Sequence, residues 1–319
     1  MSRVSKPLSL SRISDLTLGA FIFVPQSETI DHLVRYLGTW SGSETAVRQS
    51  YQYSHGAKII QYAVKVIVPL LELRARIQHR AGLRAKPTSS AAASYSKLGG
   101  IIGDARTLWR IWGLLPIIQW LVSLERNPQP TRRLLNIERL QGWSMLAYYP
   151  LEHLYYLLSH SLIPPTIPSI KSIFSSTAKP TKLDPNAIGM WSTRFWAFYV
   201  FLQFAHLRED RKLLQARERA ISKAKRGPGG TGISAAEKKE LGDRWDAFWN
   251  EVVVNLGYLP LTVHWSLEKG FIKNDFWVGV FGLIAGLASF RAGWRATALP
   301  TPSSPAQEGS EKATSDPSY

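Results

Sequence analysis

The sequence predicts an all-α, membrane-associated protein, with amphipathic interfacial helices and a C-terminal apolar helical hairpin or transmembrane helix. Three observations lead there. Apolar residues recur at helical spacing along most of the chain. Residues 276–290, FWVGVFGLIAGLASF, carry no charge. Of 319 residues, 39 are Lys or Arg against 23 Asp or Glu, a formal net charge of +16, and 12 are tryptophan. Such a positive surplus implies an anionic partner, either lipid headgroups or nucleic acid. Indoles favour boundaries between apolar and wet surroundings. Charged residues make up only 19%, low for a soluble domain. Cysteine is absent, which excludes disulfides, thiol chemistry and cysteine metal sites.

Residues 1–28 read as a flexible N-terminus. The apolar run at 16–24 contains Thr17 and is followed by Pro25 and Gln26, which makes a poor signal peptide. An N-terminal helical region is expected over 29–162. It opens with a short helix at 30–37 and breaks at Ser41-Gly42-Ser43. A long helical pattern then covers 44–78, with Lys58, Gln61 and Lys65 on one face and Ile60, Val64, Ile67 and Leu71 on another. Pro69 is a kink candidate. A basic end at 74–84 and a polar connector at 86–96 follow.

Residues 99–124, GGIIGDARTLWRIWGLLPIIQWLVSL, are the stretch around which the rest is organised. Ile101, Ile102, Ala105, Leu108, Trp109, Trp112 and Leu115 share one side. Arg106 and Arg110, four apart, form a cationic stripe with Gly103 and Gly113 beside it. Asp104 near the start suits the helix dipole, and Pro116 bends or restarts the helix. Such a helix can be buried in a soluble core. The three indoles of Trp109, Trp112 and Trp120 beside two arginines favour the other reading: Arg106 and Arg110 on anionic headgroups, with Leu108, Leu115 and the indoles in the apolar layer.

Residues 126–131 break the pattern, and 134–162 resume it, apolar and aromatic but holding Pro150, Glu152 and His153. A free-standing span would bury those groups at high cost, so this helix is expected to pack on others. A Pro- and Ser-rich linker is expected over 163–190. The C-terminal helical region, 191–298, starts with an apolar run at 195–204 that is too short to span. Residues 207–226 form a charged, solvated helix, 227–232 a glycine break, and Ser234 to Glu237 has capping-box spacing. Membrane segments are expected at 252–267 and 276–294, joined by a polar turn, with Arg291 and Arg295 snorkelling to the interface. Gly282 and Gly286 form GxxxG, with Gly279 on nearly the same side; this stripe is expected to mediate helix packing between copies, the alternative being a buried glycine-rich core helix. Residues 299–319 read as a disordered tail.

Residues 208–244 and the pair Arg291 and Arg295 are basic, so the positive-inside rule favours both on the cytosolic side with the two segments as a hairpin between them. Enzymatic signatures are missing. The seven histidines show no i, i+4 pair, Glu152-His153 lacks the HExxH frame, and the glycines at 227–232 lack the lysine of a phosphate loop. No catalytic residue, metal or cofactor is expected. The basic stretch 208–244 is diluted by Glu209, Asp210, Glu218, Glu237, Glu240 and Asp243 and has no nucleic-acid-binding signature, so no nucleic-acid partner is expected.

The stretch ARTLWRIWGLLPIIQWL resembles the amphipathic helix of the peroxin-11 family, peroxisomal membrane proteins that drive peroxisome proliferation. The family's basic and hydrophobic succession is met here by Arg106, Leu108, Trp109, Arg110 and Leu115-Pro116; Gly113 or Leu114 stands where a further basic residue is frequent. Upstream, Lys58, Ile59, Ile60, Gln61 and Tyr62 are similar to the family's lysine, hydrophobic pair, Gln-Tyr segment. QGWSMLAYYPLEHLYYL and FWAFYVFLQFAHLREDRKLL look like the filamentous-fungal branch, and the resemblance spans 29–295. It implies a peroxisomal membrane location with termini facing the cytosol, homo-oligomers, membrane elongation before fission, and contacts with the fission machinery. A metabolite pore built by the same helices and a soluble nucleic-acid-associated protein are the competing expectations.

Overall fold

A computed structural model describes residues 17–19, 44–167, 181–226 and 235–296. The helix expected at 30–37, most of the N-terminus, residues 168–180 of the linker, the glycine break and the tail lie outside them; the last part of the expected linker is helical, from Pro185. Among the described residues the chain is all-α except for one short antiparallel pairing, β1 (Thr166–Ile167) with β2 (Thr181–Lys182). The helices are α1 (Glu44–Arg80), α2 (Ser90–Trp109), α3 (Leu114–Arg126), α4 (Arg132–Ser159), α5 (Pro185–Arg226), α6 (Ala235–Trp265) and α7 (Asp275–Ala296). Ser89 caps α2 by accepting the Ala92 N–H at 3.3 Å, and Thr131 caps α4 by accepting the Leu134 N–H at 3.2 Å. Gly82, at φ +70°, follows the end of α1, a conformation that costs glycine little. Pro69, Pro150 and Pro260 lie within α1, α4 and α6 without ending them. Pro116 does mark a change. Its ring removes the N–H that would reach the Trp112 carbonyl, and residues 110–113 tighten into a 3₁₀ turn between α2 and α3.

The helices close into a ring: α4 packs on α5, α5 on α6, α6 on α7, α7 on α1, α1 on α2, and the α2–α3 rod returns to α4. Tyr62, Leu261 and Val278 fill the space between α1, α6 and α7, while Leu207, Leu214 and Phe248 join α5 to α6. Trp143 Nε1 donates to the Leu18 carbonyl at 2.8 Å, tying the described N-terminal residues to α4. α1 and α7 run antiparallel, with Lys65 3.6 Å from Asp275 at one end and Lys58 beside Gly286 further up, so residues 44 and 296 emerge at the same end.

Polar and charged groups are buried beside this apolar core, and large apolar side chains are exposed outside it. Glu138, Arg139, Gln141, Ser144, His153, Ser192, Asn255 and Thr262 are buried. Exposed are Ile60, Ile67, Leu70, Phe198, Phe201, Leu256, Trp277, Ile284 and Leu287. Scattered exposed apolar residues are ordinary; large ones on neighbouring helices above a charged interior are not. At the α3–α4 side buried charges have partners: Arg139 donates from Nε and Nη2 to the two oxygens of Glu125 at 2.7 and 2.5 Å, and Glu138 accepts from Gln129 at 3.0 Å with His206 Nε2 2.9 Å away.

Two stretches among the described residues are long and apolar enough to cross a membrane, Ser90–Arg126 and Asp275–Arg295. The second covers the expected segment 276–294. Residues 252–267 are not among them: they cover the second half of α6, whose first half is charged, and the start of the turn after it, and they lie against α7 with Gly257 facing Ala285. The rod at 90–126 reaches it although only an interfacial helix was expected there.

The glycine stripe on α7 is used within the chain. A Cβ at Gly279 would approach Lys65 Cβ to 2.9 Å, and one at Gly282 would enter the Tyr62 ring. Gly279 and Gly282 thus serve a close helix contact, as expected of the stripe, but the neighbour they meet is α1 of the same chain, because glycine lets two backbones come close enough for Tyr62 to lie between them. Gly282→Ala should therefore destabilise the bundle by about 1–3 kcal/mol through overpacking. Gly286→Ala, whose Cβ would meet its nearest atom at 3.5 Å, should be neutral or gain up to about 1 kcal/mol of helix propensity. Thermal unfolding of the two variants side by side measures the difference.

At the ring's other end Arg295 Nη1 donates to Asp246 at 2.7 Å, and Arg291 lies 3.9 Å from the same carboxylate. That hydrogen bond, then the two guanidinium charges, hold Asp246 below the usual carboxylate range. A depressed carboxylate stabilises above its unfolded value and ceases to as pH falls through its folded one. The gap in unfolding midpoint between the parent and Asp246→Asn should be constant above about pH 5 and close below about pH 4, since the unfolded aspartate titrates near 3.9.

Candidate functional site

The ring surrounds a half-open cavity of about 1140 Å3, walled by α1, α2, α4, α5 and α6. Its charged floor comes from three elements. Arg106 and Arg110 are four apart on the α2 rod and so project from one face, and Lys58 and Gln61 share the inner face of α1. Gly99 and Gly103 on α2 bring that helix onto α1: a Cβ at Gly99 would lie 2.9 Å from Val64, and one at Gly103 would collide with Gln61. Gly113 does the same for α4, where Tyr149 lies 2.7 Å from the place of a Cβ.

Arg110 Nη1 donates to Glu152 Oε1 and, at 2.6 Å, to the Tyr148 hydroxyl oxygen. Tyr148 in turn donates to Glu152 Oε1 at 2.8 Å. Arg106 Nη1 donates to Gln61 Oε1, a neutral partner. Lys58 Nζ donates to the Tyr258 hydroxyl at 2.5 Å, with the ring centroid 5.2 Å away. Two polar atoms in this cluster, Arg106 Nε and Glu152 Oε2, are buried without a hydrogen-bond partner. The walls above are aromatic: Tyr62, Trp196 and Trp265 line them, the two indoles stacked with centroids 5.9 Å apart. Asp184 and Glu268 are exposed at the mouth.

The residues expected to touch membrane divide into two groups. Leu108, Trp109 and Trp112 are 45, 65 and 41% exposed on the outer side of the rod, with Ile101 at 59%. Leu115 and Trp120 are half-buried. Arg106 and Arg110 do not join them. Expected on headgroups, both point into the ring, because a guanidinium leaving water is stabilised best by a charged or hydrogen-bonding partner, and α4 and α1 supply Glu152 and Gln61. The helix is amphipathic as expected but mounted with its cationic side inward. Sequence reasoning noticed Glu152 as a costly group in an apolar helix and Lys58 with Gln61 as one face. It gave no role to Tyr148 or Tyr258, which nothing distinguishes from their aromatic neighbours before the helices are packed. The Gly99 and Gly103 spacing repeats that of Gly282 and Gly286 and could have pointed to the α1–α2 contact.

An apolar shell of helices around an ionised, aromatic-walled cavity defines the class of structure. No family model, no curated protein and no solved structure matches the chain.

Glu152→Ala should leave Arg110 without its counter-charge. The expected loss lies at the lower end for a broken buried pair, about 3 kcal/mol, because the Arg110 side chain keeps 30% of its surface open to the cavity. Removing Arg110 and Glu152 together should cost less than the sum of the single changes, which a double-mutant cycle in thermal or denaturant unfolding reads directly.

Proposed function

We propose that the protein is an integral protein of the peroxisomal membrane that remodels and elongates it, promoting proliferation and fission of the organelle. The outward apolar side of the rod at 90–126, with Ile101, Leu108, Trp109 and Trp112, carries this reading. Lodged in one leaflet it expands that leaflet and favours curvature. Each indole or leucine side chain contributes about 1.5–3 kcal/mol if fully buried. Headgroup attraction adds about 1 kcal/mol per basic residue near an anionic surface. Arg106 and Arg110 face inward, so Arg74, Arg80 and Arg84 take that role, beside the exposed Leu70, Leu73, Ile77 and Leu83. The protein acts mechanically, without catalysis or cofactor. Emergence of residues 44 and 296 at one end of the ring supports termini on one side of the membrane. The organelle, the homo-oligomer and the contact with fission machinery rest on the peroxin-11 resemblance. The basic stretch 208–244 has carboxylate partners, Glu240 for Arg217 at 3.0 Å and for Arg244 at 3.1 Å, which supports a lipid rather than a nucleic-acid partner.

A second reading, passage of a solute through the ring, draws on the cavity of about 1140 Å3. Flux of small solutes from reconstituted liposomes separates the two. The first reading predicts that the full chain tubulates anionic vesicles and that Trp109→Ser with Trp112→Ser abolishes this. Arg74→Gln with Arg80→Gln should weaken vesicle binding by the smaller electrostatic contribution. Equal tubulation by the tryptophan pair and the parent would sink the mechanism, and a tagged chain imaged away from a peroxisomal marker would remove the organelle.

A further inference from the structure

Three basic side chains, Lys58, Arg106 and Arg110, line one part of the cavity. The carboxylate in contact with them, Glu152, is already engaged by Arg110, while Asp184 and Glu268 lie at the exposed mouth. Lys58 and Arg106 have only neutral partners, Tyr258 and Gln61, and Arg106 Nε is buried without any. Desolvating a cation without a counter-charge is expensive, and an anion entering this space would offset that cost. The cluster is also level with the middle of the apolar helix α7: Lys58 Cδ lies 3.7 Å from where a Cβ of Gly286 would be, and Gly286 is central in α7. Ionisable groups held among apolar helices at such a level often mark ligand or ion sites. A guanidinium offers a planar fork of donors that matches a carboxylate or a phosphate. The aromatic walls of Tyr62, Trp196 and Trp265 suit an apolar body attached to it.

We propose that this cavity is a binding site for an organic oxyanion, a carboxylate or a phosphate group, held by Arg106 and Lys58, with Arg110 kept in place behind them by Glu152. The group reaches the site either on a soluble molecule or as the headgroup of an anionic lipid. The site does not depend on whether the protein curves membranes, so tubulation and anion binding fail or succeed separately.

The experiment uses the full chain in nanodiscs of phosphatidylcholine. The unfolding midpoint is followed against octanoate and against inorganic phosphate, with chloride at equal ionic strength as the control, and again in nanodiscs containing phosphatidic acid. In the parent at least one of these oxyanions should raise the midpoint saturably where chloride does not. K58Q and R106Q should each weaken that response about tenfold or more, while raising the anion-free midpoint by relieving repulsion among like charges. R106K should keep part of the response. Arg133→Gln, a surface cation on α4 paired with Glu209 at 3.3 Å, should leave it unchanged. A response to octanoate or phosphate alone assigns the site to a soluble anion, and one to phosphatidic acid alone assigns it to a lipid headgroup. Absence of any response overturns the proposal, as does a response in K58Q and R106Q equal to that of the parent. Failure of both variants to fold overturns it too, because the cations would then be structural.

Discussion

The pairing of Arg110 with Glu152, reinforced by Tyr148, decides which way this protein faces. An amphipathic helix has two sides, and the side placed inside sets what the whole assembly shows to its surroundings. By joining the α2 rod to α4 through a buried charge, the pair turns the cationic side inward and leaves Leu108, Trp109 and Trp112 outside. A buried ion pair is weak support for stability in itself, since two apolar side chains of similar volume serve as well or better. Its value here is orientational. With the rod rotated by half a turn, Trp109 would lie among Tyr148, Glu152 and Gln61, and two guanidinium groups would face the lipid.

That orientation needs the helices to come close, and glycine supplies the approach. Gly99 and Gly103 seat α2 on α1, and Gly279 and Gly282 seat α7 on the opposite flank of the same helix. α1 is thus held on both sides by surfaces without side chains. Its own inward residues, Lys58, Gln61 and Tyr62, are left to fill the centre. The 3₁₀ turn at 110–113 contributes differently. It breaks the rod at the level where Arg110 meets α4, so that α3 can pack along α4 with Leu121 against Gly142 while α2 stays on α1. Pro116, one turn further on, makes that break the easy place for it.

Much of this was legible in the sequence, and the limit is physical. Helical periodicity locates faces, so the two sides of 99–124 and the Lys58, Gln61 and Lys65 face of α1 were readable. Helix breaks at 126–131 and near Pro116 followed from backbone chemistry. Periodicity does not say which face meets protein and which meets solvent or lipid. In a soluble protein the greasy side turns in, and in an inside-out bundle it turns out. The placement of Arg106 and Arg110 therefore depended on Glu152, 42 positions away from Arg110. The glycines on α7 raise the same difficulty: small residues announce a close neighbour without naming it, and α1, more than 200 positions earlier, was as good a candidate as a second copy.

The charges outside the apolar layer carry the reasoning one step further. At one end the second half of α5 and the first half of α6 are charged, and Asp246 meets Arg291 and Arg295 there. At the other end, beyond the contact of Lys65 with Asp275, the last turns of α1 carry the exposed Arg74, Arg76 and Arg80 interleaved with Leu70, Leu73 and Ile77. Positive charge thus stands at both ends, so a positive-inside argument made from the C-terminal half alone loses its asymmetry. The ends differ in character instead. The α5–α6 end matches its arginines with carboxylates, as at Arg217 and Glu240, which suits water. The α1–α2 end mixes arginine with large exposed aliphatic residues, which suits the headgroup region. A ring with one end suited to water and the other to headgroups would sit asymmetrically in a bilayer, and asymmetry between leaflets is what the proposed remodelling role requires.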